Sequence, residues 1–160
     1  MKLILFLILF AMPAQAQVIG EVTKQPIPRF VSLSADQVYA RSGPGTRFPV
    51  AWVYQRKNLP VEIVQEFDNW RKIRDIDGEE GWVHQSLLSG KRYIIQNTNQ
   101  NISLMRRQEV DSRTVALIEK GAILRINTCS TQQCFVSASG FDGWISKDFV
   151  WGVYEDEQIE

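Results

Sequence analysis

Histidine and cysteine are nearly missing from this chain, and their scarcity removes most catalytic devices before any motif is read. His84 is the only histidine, and Cys129 and Cys134 are the only cysteines among 160 residues. A cysteine peptidase site would need a thiol outside a Cys129–Cys134 pair, and a zinc hydrolase needs more ligands than one imidazole and two paired thiols supply. Ser42-Gly43 and Ser139-Gly140 fall in turn contexts, with no Gly-x-Ser-x-Gly elbow leading into a helix. Carboxylate pairs remain for a glycan-cleaving role, with Glu79-Glu80 or Asp75 and Asp77 as candidates. They fall at an expected hairpin tip, too open to water for acid and base roles to diverge, so acidic turn residues explain them better. No catalytic residue, metal ligand or cofactor is expected.

Long apolar runs are also missing, with one exception at the start. Met1-Lys2, the apolar residues 3–12 and Pro13-Ala14-Gln15-Ala16 give the charged, apolar and small-residue parts of a secretory signal peptide in order. The run is far short of the ~20 residues that span a bilayer, which favours a signal peptide well over a membrane anchor. Residues 1–16 are therefore expected to be a signal peptide cut after Ala16, followed by a lead-in over residues 17–29 that carries Pro26 and Pro28 and reads as extended. No cysteine near the cut can carry a lipid, so a periplasmic or secreted protein without stable membrane insertion is expected.

Charge of one sign is absent as well: 18 Lys and Arg balance 18 Asp and Glu. Glu155, Asp156, Glu157 and Glu160 crowd the end, so residues 155–160 read as a frayed acidic tail and the remaining body is only weakly basic. Nucleic acid is a poor fit, because phosphate binding relies on clustered Lys and Arg. The local group Arg71, Lys72 and Arg74 matches a solvated strand face.

What the chain does contain is a succession of short β-branched and aromatic runs closed by turn residues, without helical periodicity. Strands are expected near residues 30–33, 38–40, 51–54, 61–67, 70–75 and 79–84, then near 92–96, 102–105, 114–119, 122–128, 134–138 and 141–146. Gly43-Pro44-Gly45, Asp68-Asn69 and Asp77-Gly78 supply turns. The two sets are copies. Glu80-Gly81-Trp82-Val83 returns as Asp142-Gly143-Trp144-Ile145, Val50-Ala51 as Val115-Ala116, and Val61-Glu62-Ile63-Val64 as Ile123-Leu124-Arg125-Ile126. The repeat is about sixty residues long, a minimal unit that leans on its neighbour for stability. Within the second copy, Cys129 and Cys134 bracket Ser130-Thr131-Gln132-Gln133 and are expected to form a disulfide across a hairpin in an oxidising compartment. Their spacing is not the two-residue spacing of redox motifs.

The segment Val38-Tyr39-Ala40-Arg41-Ser42-Gly43-Pro44-Gly45, followed later by Asp77-Gly78-Glu79-Glu80-Gly81-Trp82-Val83, resembles the bacterial SH3 domain in both pieces and in their order. The second copy keeps Ile102-Ser103-Leu104-Met105 and Gly143-Trp144-Ile145 but has Arg106-Arg107-Gln108-Glu109 in place of the Gly-Pro-Gly turn. The resemblance covers roughly residues 30–153. It implies an all-β protein of two tandem SH3-like small barrels, over residues 30–90 and 91–154, in an envelope protein. Trp82 and Trp144 recur in both copies and are expected to pack within each barrel. Trp70 aligns with Cys134, and Trp151 and Tyr154 are expected to close a barrel end.

The family pattern places a ligand groove beside the first long loop, with Tyr39, Arg41, Phe48, Trp52 and Tyr54 as wall candidates. Strand alternation turns Trp52 and Tyr54 to the face opposite Ala51 and Val53. Aromatic faces stack on sugar rings or prolines. Arg41 either grips a carboxylate of a peptide stem or hydrogen-bonds to its own 43–46 loop. The second copy lacks both Arg41 and the loop, so any ligand is expected on the first. The expected function is that of a non-catalytic exported binding module recognising cell-wall peptide, peptidoglycan or an envelope protein. The alternative is a structural or regulatory adaptor for an envelope hydrolase, without contact to the wall.

Overall fold

The computed structural model of the protein describes residues 18–109 and 112–160. The expected signal peptide and its cut after Ala16 lie outside the described residues. Strands β1 (Val18–Ile19) and β2 (Pro26–Ile27) pair with each other, so the lead-in is a small hairpin and not an extended segment. The cause lies in the turn between them. The backbone N–H groups of Val22 and Thr23 and the Thr23 hydroxyl all donate to the Glu66 carboxylate, which folds the segment back onto the body.

Two seven-stranded sheets follow. The first holds β3 (Arg29–Leu33), β4 (Val38–Arg41), β5 (Val50–Tyr54), β6 (Pro60–Phe67), β7 (Trp70–Arg74), β8 (Glu80–His84) and β9 (Leu88–Ser89), in the order β5-β4-β8-β7-β6-β3-β9. The second holds β10 (Tyr93–Gln96), β11 (Ile102–Met105), β12 (Thr114–Ile118), β13 (Ile123–Cys129), β14 (Gln133–Ala138), β15 (Phe141–Ser146) and β16 (Val150–Trp151), and its order β12-β11-β15-β14-β13-β10-β16 repeats the first strand for strand. All pairings are antiparallel, as short turns require. The chain is two tandem SH3-like β domains.

The duplication reaches single residues. Register shifts fall between Ala40 and Arg41 and between Leu104 and Met105, and again between Ile63 and Gln65 and between Ile126 and Thr128. Such bulges bend and twist a strand, which lets a sheet this small curl around its core. One core gathers Leu33, Val38, Ala40, Val61, Ile63, Ile73 and Val83, and the other gathers Ile94, Leu104, Leu124, Ile126, Val136 and Ile145.

Matching register corrects three expected equivalences: Ala116 stands for Trp52 and not Ala51, Ile126 stands for Ile63 and not Val64, and the third concerns Cys134. Ile63↔Ile73 corresponds to Ile126↔Val136 and Glu66↔Arg71 to Cys129↔Cys134, so Arg71 and not Trp70 stands where Cys134 does. The path from Arg71 to Trp82 is one residue longer than the path from Cys134 to Trp144, and motif matching alone does not fix the register across such turns. Cys129 and Cys134 are joined by a disulfide.

Trp82 is buried and Trp144 half-buried, each against residues of its own barrel. Neither belongs to its barrel's core cluster. Trp82 lies opposite Arg41 and Lys72, while Trp144 lies opposite Met105 and Phe135 and packs on the Phe135 ring at 5.3 Å. The glycines before them face inward. A Cβ on Gly81 would meet Ala40 Cβ at 2.8 Å, and one on Gly143 would meet both Leu104 Cγ and the Met105 carbonyl oxygen at 2.7 Å. At each Gly-Trp the sheet therefore folds back on itself too closely for a side chain.

The acidic tail is docked and not frayed. Glu157 pairs with Arg92, Lys147 Nζ donates to the carbonyls of Tyr154, Glu155 and Glu157, and the backbones of Ile159 and Cys129 bond reciprocally. Trp151 and Tyr154 do more than close a barrel end, because they reach the first barrel. Phe30 meets Trp151 edge-on at 4.9 Å and Tyr154 at 4.6 Å, and the Tyr154 hydroxyl donates to Glu62 Oε1 at 2.7 Å. Phe30 and Glu62 are register partners, so one face of the β3–β6 ladder looks toward the second barrel.

Candidate functional site

Strand β5 is the outermost strand of its sheet and pairs only with β4. It reads Val50-Ala51-Trp52-Val53-Tyr54, with no charged residue. An edge strand usually discourages partners with charge or proline, and this one does neither. Val50, Trp52 and Val53 are exposed, as is Tyr39 on the adjoining strand. Four large apolar side chains thus face solvent on one hairpin.

Register separates the five expected wall residues. Tyr39 stands opposite Val53, and Arg41 lies two residues along on the same face. Trp52 stands opposite the buried Ala40, and Tyr54 stands opposite the buried Val38. Tyr39 at 45 % exposure and Trp52 at 47 % therefore project to opposite sides of the hairpin, and Tyr54 at 5 % belongs to the core. The Tyr54 hydroxyl donates to Asp75 Oδ2 at 3.0 Å. Burial first, and the Asp75 carboxylate second, push its pKa far above the usual tyrosine range. Asp75 in turn accepts from the backbone N–H groups of Asp77 and Glu79, so Tyr54 helps to hold the β7–β8 turn. Its placement on a groove wall is overturned by this burial.

Arg41 binds its own loop. Its Nη1 donates to the carbonyls of Phe48 at 2.7 Å and Thr46 at 3.2 Å, which leaves a positioning role. Phe48 lies over Gly43, where a Cβ would collide with the ring, and the Arg47 guanidinium stands 5.1 Å above the same ring. The loop is thereby closed over itself beside Tyr39. Of the candidate carboxylates, Glu80 pairs with Lys72, and Asp75 serves Tyr54 and the turn. Among the described residues no group of three or more His, Cys, Asp or Glu gathers for a metal ion.

Val50 and Val53 were not singled out from sequence, although the signal was present. A strand that is apolar on both faces must be buried on both or exposed on one, and position at the sheet edge decides which. The second barrel replaces the pattern at equivalent positions. Ser103 stands for Tyr39, Ala116 for Trp52, Met105 for Arg41 and Ile118 for Tyr54.

Paired small β-barrels with an apolar hairpin edge on one of them form a class of protein that presents surfaces. The chain belongs to the bacterial SH3 domain family, which matches residues 34–90 and 104–152. Domains of this family are generally non-catalytic binding modules, often of cell-wall material. No curated protein matches the sequence. Among solved structures, NlpC2 from Trichomonas vaginalis is 14 % identical over 78 % of this chain and 48 % of its own, with a TM-score of 0.35. NlpC1 from Trichomonas vaginalis is 12 % identical over 87 % of this chain and 50 % of its own, also at 0.35. The chain spans about half the length of these two proteins.

Proposed function

We propose that the protein is an exported, non-catalytic binding module that takes a cell-wall peptide or an envelope protein along the β4–β5 edge of its first barrel. The observation that carries this reading is the difference between the duplicates. Tyr39 and Trp52 are exposed in the first barrel, and the equivalent positions of the second hold Ser103 and Ala116. A purely structural strand pair has no need of that difference. Covering one large aromatic side chain contributes about 1.5–3 kcal/mol, enough for two of them to dominate a modest affinity. The open backbone of β5 adds main-chain hydrogen bonds for an extended peptide.

Export is supported by the family and by the Cys129–Cys134 disulfide, which persists in oxidising compartments. Among the described residues no helix is long and apolar enough to cross a membrane.

Sedimentation of the mature protein with purified sacculi tests the reading, run beside a Tyr39→Ala, Trp52→Ala double variant. Co-sedimentation by the parent, weakened at least about tenfold in the variant, is the expected result. Wall binding that survives the double substitution would move the site elsewhere. Absence of wall binding in both would favour an adaptor that holds an envelope hydrolase.

A further inference from the structure

A cleft of 460 Å³ opens between the lead-in and the C-terminal tail, away from the β4–β5 edge, lined by Pro26, Pro28, Phe30, Arg92, Tyr154 and the acidic residues 155–157. Its floor is aromatic, with the Phe30 and Tyr154 rings 4.6 Å apart. Two arginines line it: Arg29 is spent on Glu66 and the Pro26 carbonyl, which leaves Arg92, in the segment joining the two barrels, as the receptor facing the tail, its guanidinium also standing 5.8 Å over the Phe30 ring. The floor and receptor are thus in place before any ligand arrives.

The receptor is occupied by the chain itself. Arg92 Nη1 donates to Glu157 Oε1, and Nη2 donates to Glu157 Oε2 at 3.0 Å, in the two-pronged geometry by which arginine holds a free carboxylate. The Tyr154 N–H donates to the same carboxylate at 3.1 Å, and Arg92 Nη2 also reaches the Gly152 carbonyl. Although burial raises the Glu157 pKa, hydrogen bonds from Arg92 and Tyr154 more than offset this and hold the carboxyl ionised below the ordinary range. Arg92 Nε is buried and has no hydrogen-bond partner among the described residues, so the clasp leaves one donor unused. The neighbouring Glu155 and Asp156 are exposed, while Val153 and Ile159 on either side of the clasp pack against the second core.

We propose that this inter-barrel cleft is a second binding site, for a peptide carboxylate, and that Glu157 is an intramolecular competitor which a ligand must displace. Arg92 takes the incoming carboxylate, the Phe30 and Tyr154 rings take the adjoining apolar or proline side chain, and the Glu157 side chain turns out of the clasp while Lys147 and the Cys129–Ile159 pairing keep the tail backbone in place. The site is independent of the β4–β5 edge, so either can fail alone.

The probe is a synthetic, N-terminally labelled peptide copying residues 153–160 of this chain, followed by fluorescence anisotropy. Apparent affinity scales with the fraction of molecules whose site is open, so Glu157→Gln is expected to bind the probe at least about tenfold tighter than the parent. Adding Arg92→Lys to that variant, which keeps the charge and loses the fork, is expected to abolish the gain. Glu157→Ala, which keeps Ile159 on the core, serves as a second open form and is expected to bind as Glu157→Gln does. Equal affinity of the parent and both open forms would overturn the proposal, as would binding that Arg92→Lys leaves intact. Open forms that melt lower yet bind no probe would make the tail a strut and overturn it equally.

Discussion

At the scale of single residues, the two barrels close equivalent hairpins by different chemistry. Where the second has Cys129 and Cys134, the first has Glu66 and Arg71, both nearly excluded from solvent. A buried carboxylate is costly unless it is surrounded by donors. Glu66 has them: the Thr23 hydroxyl and N–H, the Val22 N–H and Arg29 Nη2, with Arg71 Nε at 3.8 Å. Burial alone would raise its pKa, but the bonds from Thr23 and Arg29 prevail and lower it from 4.5 to about 2. A carboxyl depressed in the folded state contributes stability that is complete above its ordinary pKa and lost as pH falls toward the folded value. Discounted for solvent screening, the shift corresponds to about 1–3 kcal/mol. Urea unfolding of the parent and Glu66→Gln over a pH series should show the parent more stable by roughly that amount at pH 7. The gap should narrow between pH 4.5 and about 2. A gap as wide at the acid end as at neutrality would remove Glu66 from this role.

At the scale of elements, closure of each barrel depends on the glycine before its tryptophan. A methyl group on Gly81 would press on the Ala40 methyl, whereas one on Gly143 would press on a backbone carbonyl oxygen as well as a leucine. Side chains yield more readily than backbone, so Gly143→Ala should cost more than Gly81→Ala, both within about 1–3 kcal/mol by thermal unfolding. The reverse order would mean that the second sheet is the looser one. The Gly-Trp motif itself was legible in the sequence, and so were the strands, because alternation and turn residues encode them locally. The short strands β1, β2, β9 and β16 were not, since two-residue pairings carry no period. The candidate site was legible only in part. Composition pointed to Tyr39 and Trp52, but the side to which each projects depends on the partner strand. Tyr54 was misplaced because nothing adjacent to it announces Asp75, 21 residues away.

For the whole molecule, the question is whether the barrels fold as one unit. Each core is small, and a unit of about sixty residues holds little stability in reserve. The contact between them is consequently worth much in proportion. Phe30 is buried without joining the core of its own barrel, and its ring meets Trp151 and Tyr154 of the other. Around it, Ser32 Oγ donates to the Lys91 carbonyl, Arg56 Nη2 donates to the Gly121 carbonyl, and Tyr154 reaches Glu62. Gly152 sits at this junction with φ at +119°, its open side against the Tyr93 carbonyl and Pro60 of the first barrel. Removing the ring by Phe30→Ala should cost about 3 kcal/mol or more, concentrated on the coupling between barrels, because neither core loses a member. Calorimetry should then show one transition for the parent and two for Phe30→Ala. A single transition in the variant, merely shifted to lower temperature, would mean that the remaining polar contacts suffice to couple the barrels. Two transitions already in the parent would mean that the barrels fold separately, and the inter-barrel cleft would then be a hinge whose width the tail sets through Arg92 and Glu157.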